Sequence, residues 1–75
     1  MTDRPFDMLK TAVDSNVLVR IKGDKELRGV LKAFDIHMNL VLDEAEDMSN
    51  GNHKKLGRII LRGDTVVYVS PVTGD

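Results

Sequence analysis

Seventy-five residues without a cysteine leave room for one domain and exclude a disulfide framework or a thiolate metal site. Eleven Lys and Arg against twelve Asp and Glu give a formal net charge of −1, which argues against a protein that coats duplex nucleic acid by bulk attraction. A chain this short buries only about 60% of the surface its unfolded form exposes, so oligomerisation is the remaining source of stability.

Taken in chain order, residues 5–13 read as a short helix. Pro5 suits a first helical turn, Asp3 stands before it as an acidic residue, and Phe6, Leu9 and Val13 fall on one apolar face. Asp14-Ser15-Asn16 ends it. Strand signals follow. Val17, Val19 and Ile21 alternate with Leu18, Arg20 and Lys22, and Gly23-Asp24-Lys25 turns the chain. A second strand over about 26–35 carries Gly29 in its interior, which marks a bulge or sharp bend. Ile36-His37 leads to a third strand over about 38–46. A polar loop follows over 47–53, turning on Asn50-Gly51 and including Asn52. A fourth strand runs from about His53 to Leu61, Arg62-Gly63-Asp64 is a tight connector, and a fifth strand spans 66–70, with fraying expected over Val72 to Asp75.

One helix and five short strands predict a mainly β, small, strongly bent barrel. Leu40-Val41-Leu42 and Val66-Val67-Tyr68-Val69 are apolar on both faces, and a small barrel has only one inside. The second apolar face predicts a neighbour, most simply an identical chain. The first residues carry no apolar signal core and no apolar run approaches the ~18 residues of a membrane helix, so a cytoplasmic protein is expected.

Two connectors gather hydrogen-bonding side chains: Asp35-Ile36-His37-Met38-Asn39 and Arg62-Gly63-Asp64. Asp and Asn are ordinary turn residues, because their side chains bond nearby backbone. A metal site here would need a further ligand that the sequence does not mark, and the run Asp43-Glu44-Ala45-Glu46-Asp47 lacks the spacing of a calcium loop. The serines sit in no nucleophile elbow and no carboxylate pair is placed for acid–base work, so neither enzyme activity nor a cofactor is expected. Taken together, the connectors suit one base of a single strand. His37 and Arg62 are flat and can stack, and Asn39 can bond a base edge.

The segment Gly29-Val30-Leu31-Lys32-Ala33-Phe34-Asp35-Ile36-His37-Met38-Asn39-Leu40-Val41-Leu42-Asp43-Glu44-Ala45-Glu46 resembles the first motif of the Sm-like (LSm) family. Leu61-Arg62-Gly63-Asp64-Thr65-Val66-Val67-Tyr68-Val69 resembles the second. The short loop, the lack of a C-terminal tail and Arg62-Gly63-Asp64 are similar to archaeal members.

The resemblance implies one Sm-like domain over residues 1–75, with the first motif about 17–46 and the second about 54–70. It implies a five-stranded, partly open barrel capped by the helix, SH3-like in outline. The fourth strand would pair with the fifth strand of the next subunit and close a ring. A homoheptamer is implied, since the Tyr-Lys-His signature of the hexameric bacterial branch is lacking. The partner implied is uridine-rich single-stranded RNA at the inner pore rim, in RNA processing or metabolism, with no metal, membrane or DNA partner. His37 and Arg62 would sandwich a uracil, Asn39 would bond its edge, Asp35 and Asp64 would support from behind, and Gly63 would allow close approach of base and backbone. Asn39 alone could satisfy uracil or cytosine by flipping its amide. A carboxylate behind it would fix one orientation, and the sequence does not choose between Asp35 and Asp64. A ring acting chiefly as a protein scaffold is the alternative from another class, and a monomeric barrel of a translation protein is a third.

Overall fold

Leu9 and Ala12, three positions apart, are the buried stripe of helix α1, Pro5–Ala12. The computed structural model describes residues 5–51 and 53–72; Asp3, Asn52 and residues 73–75 lie outside them. The apolar stripe expected at Phe6, Leu9 and Val13 is shifted: Ala12 is buried and Val13 only half-buried. The helix stops at Ala12 because Asp14 takes a left-handed φ of +70° and its N–H bonds to the carbonyl of Leu31. Phe6 sets its ring edge-on to Phe34 at a centroid distance of 4.9 Å, which fixes the helix against the sheet.

Five strands follow: β1 Asn16–Ile21, β2 Lys25–Phe34, β3 Leu40–Asp47, β4 Lys54–Leu61 and β5 Val66–Pro71. They form one antiparallel sheet in the order β4-β3-β2-β1-β5. Alternation puts Val17 and Val19 of β1, Leu27 and Leu31 of β2, Leu40 and Leu42 of β3 and Leu61 of β4 on the inside, none more than 8% exposed. Each such side chain contributes about 1.5–3 kcal/mol on burial, so this single inner layer is the main stabilising term.

The sheet is bent, and the bend has a local cause. Between its Leu42 and Ala45 pairings, β3 advances one residue more than β4, whose partners are Ile59 and Gly57. It gains the same extra residue on β2, between the Asp43–Val30 and Glu46–Arg28 pairings. Glu44 takes up the surplus with φ +51°, next to Ala45, whose partner Gly57 has φ +77°. The irregularity expected at Gly29 lies here. A Cβ at Gly29 would stand 3.0 Å from the Asp43 carbonyl oxygen and 3.2 Å from the Ala45 Cα, so glycine lets β2 and β3 close up beside the bulge.

Most strand ends fall within a residue of the sequence boundaries, and Val72, expected to fray, donates its N–H to the Asn16 carbonyl at 3.0 Å; three further differences stand out. β3 starts at Leu40, not Met38, because residues 35–39 form a closed turn. β4 starts at Lys54, not His53. The loop turns through a short 3-10 segment, Ser49–Gly51, instead of a two-residue Asn-Gly hairpin. Neither β4 nor β5 has a second strand neighbour among the described residues. Both carry exposed apolar side chains: Ile60 at 73%, Val67 at 58% and Tyr68 at 45%.

Candidate nucleic-acid interface

The turn between β2 and β3 is tied by its own first residue. Asp35 donates its N–H to the Asn39 carbonyl at 3.2 Å, and Met38 donates to the Asp35 carbonyl at 2.9 Å. Closing the turn puts Met38 at φ +64°, a conformation that side-chain-bearing residues hold only when their surroundings enforce it. Asp35 provides the enforcement. Its Oδ1 accepts the N–H groups of His37 at 2.9 Å and Asn39 at 3.1 Å, and its Oδ2 accepts Asn39 Nδ2 at 3.0 Å. The Asn39 side chain first, then the two backbone N–H groups, lower the Asp35 pKa against an opposing desolvation.

After β4 the chain enters a single 3-10 turn, Gly63–Thr65. The N–H and the hydroxyl of Thr65 both bond to the Arg62 carbonyl, at 3.0 and 2.7 Å. This presents the Gly63 N–H to Asn39 Oδ1, which accepts it at 2.7 Å. The two connectors, 24 positions apart at this bond, are therefore one structure. A side chain at 63 has no room. A Cβ there would overlap the His37 carbonyl oxygen and stand 3.0 Å from the carbonyl carbons of His37 and Met38. What approaches Gly63 this closely is the backbone of the first connector.

The orientation of the Asn39 amide follows from its partners. A backbone N–H can only donate and an ionised carboxylate can only accept. The amide oxygen must face Gly63 and the amide nitrogen must face Asp35. Asp35, and not Asp64, is thus the carboxylate bonded to Asn39. Asp64 pairs instead with Arg62, at 3.3 Å, with side-chain exposures of 65% and 80%. Such an exposed pair is weak, so the guanidinium can leave it. Each end of the Asn39 amide keeps capacity for one more hydrogen bond: a hydrogen on Nδ2 and a lone pair on Oδ1.

All six residues singled out from the sequence line one open groove of about 950 Å³: Asp35, His37, Asn39, Arg62, Gly63 and Asp64. Its apolar wall includes Ala33, Val41 and Ile60, which the sequence did not assign to a site. The available signal was the alternation: Val41 and Ile60 are apolar at positions where their neighbours point into the core. Among the described residues no group of three His, Cys, Asp or Glu side chains is arranged to hold a metal ion, and no helix is long and apolar enough to cross a membrane.

Residues 7–71 match the LSM domain. This chain belongs to the LSM-domain family. An snRNP Sm-like protein of Methanococcoides burtonii is 54% identical over 72 residues, which covers 95% of this chain and all of that one. A chain of the crystallised SmAP1 heptamer from P. aerophilum superposes with a TM-score of 0.93 at 36% identity, covering 99% of this chain and 100% of that one. The Sm protein of Pyrococcus abyssii, solved in complex with a uridine heptamer, gives a TM-score of 0.89 at 42% identity over 93% of this chain and 100% of that one. The bent sheet, the capping helix and the paired connectors are thus those of an Sm fold.

Proposed function

We propose that this chain forms a homoheptameric ring that binds uridine-rich single-stranded RNA at its inner rim, serving RNA processing or metabolism. The observation that carries this reading is the Asn39 amide, fixed at both ends by Asp35 and Gly63 with one donor and one acceptor left over. Beside it stand the exposed, planar side chains of His37 and Arg62. A uracil stacks between them and sets its imide edge on Asn39: Nδ2 donates to O4 and Oδ1 accepts from N3–H. Cytosine reverses that pair, and the amide cannot flip without turning its oxygen toward the Asp35 carboxylate. The mismatch leaves polar groups unpaired at about 1–3 kcal/mol, roughly five- to a hundredfold in affinity.

The ring supplies what one chain lacks. β4 of one subunit pairs with β5 of the next, which covers both free edges and the apolar side chains Val67 and Tyr68. Symmetry then gathers one Arg62 from each subunit around a single axis, so a monomer charge of −1 does not oppose binding to a phosphate chain. The uridine heptamer in the Pyrococcus abyssii complex supports the choice of ligand, and the P. aerophilum heptamer supports the subunit number.

Oligo-U binding by His37→Ala and Arg62→Ala tests the reading, with native mass spectrometry to verify assembly. Base stacking on a side chain contributes about 1–3 kcal/mol, so each variant is expected to lose at least several-fold affinity while the ring stays intact. A wild-type chain that is monomeric at micromolar concentration, or intact variants that bind oligo-U normally, would contradict it. A ring that ignores oligo-U altogether would favour the protein-scaffold alternative.

A further inference from the structure

We propose that the groove selects an imide edge as a chemical class rather than uracil as such, so that a hypoxanthine base is accepted where adenine and cytosine are refused. This rests on the base-reading role proposed above and extends it to bases outside the pyrimidines.

Two hydrogen bonds lock Asn39. With Asp35 Oδ2 on its nitrogen at 3.0 Å and the Gly63 N–H on its oxygen at 2.7 Å, the amide offers the groove one donor beside one acceptor, in a fixed order. Any base edge with a carbonyl oxygen next to a ring N–H, in the matching order, satisfies both. Uracil has such a pair at O4 and N3–H. Hypoxanthine has it at O6 and N1–H. Adenine, with N1 as acceptor beside a C6 amino group, has the opposite order, as cytosine does. Both place donor against donor and acceptor against acceptor.

Two further features keep a bicyclic base from being excluded by size. On the single chain the groove is open and measures about 950 Å³. The stacking groups are side chains at the surface, and the pair Arg62 makes with Asp64 is exposed and weak, so the gap between them adjusts. The C2 position is where purines differ. In the paired arrangement it lies on the Oδ1 side of the amide, where the Gly63 N–H already donates. Hypoxanthine carries only a hydrogen there, whereas guanine adds an amino donor. Inosine is therefore the probe that isolates the edge.

The experiment uses the assembled ring and fluorescence anisotropy with four heptamers: all-uridine, and the same strand with the central position changed to inosine, adenosine or cytidine. The inosine strand is expected to bind within about twofold of all-uridine. The adenosine and cytidine strands are expected to bind at least about fivefold more weakly, the lower end of the loss for an unpaired polar contact. If all-uridine binds and inosine is as weak as adenosine, the groove discriminates by base size and the inference is overturned. If all-uridine binds and the four strands are equal, the locked amide reads nothing and the inference is overturned too. Failure of all-uridine itself overturns the proposed function, a distinct result.

Discussion

Two aspartate turns at different places in the sheet begin identically and end differently. Asp35 Oδ1 accepts the N–H of His37, and Asp47 Oδ1 accepts the N–H of Ser49, each two residues ahead and each at 2.9 Å. Both carboxyls are lowered in pKa, Asp35 chiefly by the Asn39 side chain and Asp47 chiefly by the Ser49 side chain. At Asp47 the local chemistry closes on itself. Ser49 Oγ accepts the Glu26 N–H at 3.1 Å and the Met48 N–H bonds to the Glu26 carbonyl at 2.8 Å, so the side chain at the turn is committed to holding a loop against β2. At Asp35 the second carboxylate oxygen holds an amide that reaches the other connector and still has a donor and an acceptor to offer. The same Asx-type turn is thus structural in one place and a presentation device in the other. The difference is the unfilled hydrogen-bonding capacity, not the residue type.

Glycine substitutions should separate the two regions most widely. Gly63→Ala forces a Cβ into the His37 carbonyl, and backbone, not a movable side chain, is what must give way. Overpacking of this kind is expected to cost about 3 kcal/mol or more. Gly51→Ala in the other turn meets open space and strains only its φ of +76°, at about 1 kcal/mol. Denaturant unfolding of both variants measures this directly, and equal costs would mean that the close approach at Gly63 is not what requires a glycine.

Removing the presented group comes next. Asn39→Ala deletes the partner of Asp35 and Gly63 together with the base contact, and oligo-U affinity is expected to fall about ten- to a hundredfold. Ser49→Ala, which removes the analogous side chain at the other turn, should leave oligo-U binding unchanged and lower stability modestly. Loss of RNA affinity in both variants would make the contrast an effect of general stability.

A smaller effect belongs to the carboxylates. The folded Asp35 pKa lies below its unfolded value, so its ionised hydrogen bonds contribute fully above the ordinary carboxylate range, near 4, and are lost as pH falls through the depressed folded value. Oligo-U affinity is therefore expected to be flat between pH 7 and about pH 5 as far as Asp35 is concerned, and to drop in more acid solution. Asp35→Asn at pH 7 should erode the preference for oligo-U over oligo-C more than it erodes oligo-U affinity, because a neutral amide can donate as well as accept. Asp47→Asn should leave the preference intact. Competition between the two oligomers on verified rings reads this, and an unchanged ratio for Asp35→Asn would remove orientation as the source of specificity.

This contrast also marks what could be read from the chain. The strands, the helix and the two connectors were legible because alternation, Pro5 and the Gly-Asp-Lys turn are local signals. The six groove residues were legible as a set through the paired motifs. The curvature was only partly so. Gly29 announced it, but the surplus residue is absorbed at Glu44, an acidic position that nothing in an acidic strand end distinguishes from its neighbours. The choice between Asp35 and Asp64 was not legible at all. It depends on which carboxylate comes within 3.0 Å of Asn39 Nδ2 once β4 has delivered Gly63 to the other side of the amide, a relation across 24 positions. Val41 and Ile60 were missed as groove walls for the same reason: a sequence shows that a residue faces away from the core, not which turn it ends up beside.

The most direct measurement is a crystal structure of the assembled ring grown with a uridine heptamer. A uracil is expected between His37 and Arg62 in each occupied subunit, its O4 and N3–H on Asn39, with Asn39 still bonded to Asp35 and to the Gly63 N–H. A uracil seated elsewhere on the ring, or an Asn39 amide that has left Asp35 to reach the base, would contradict it.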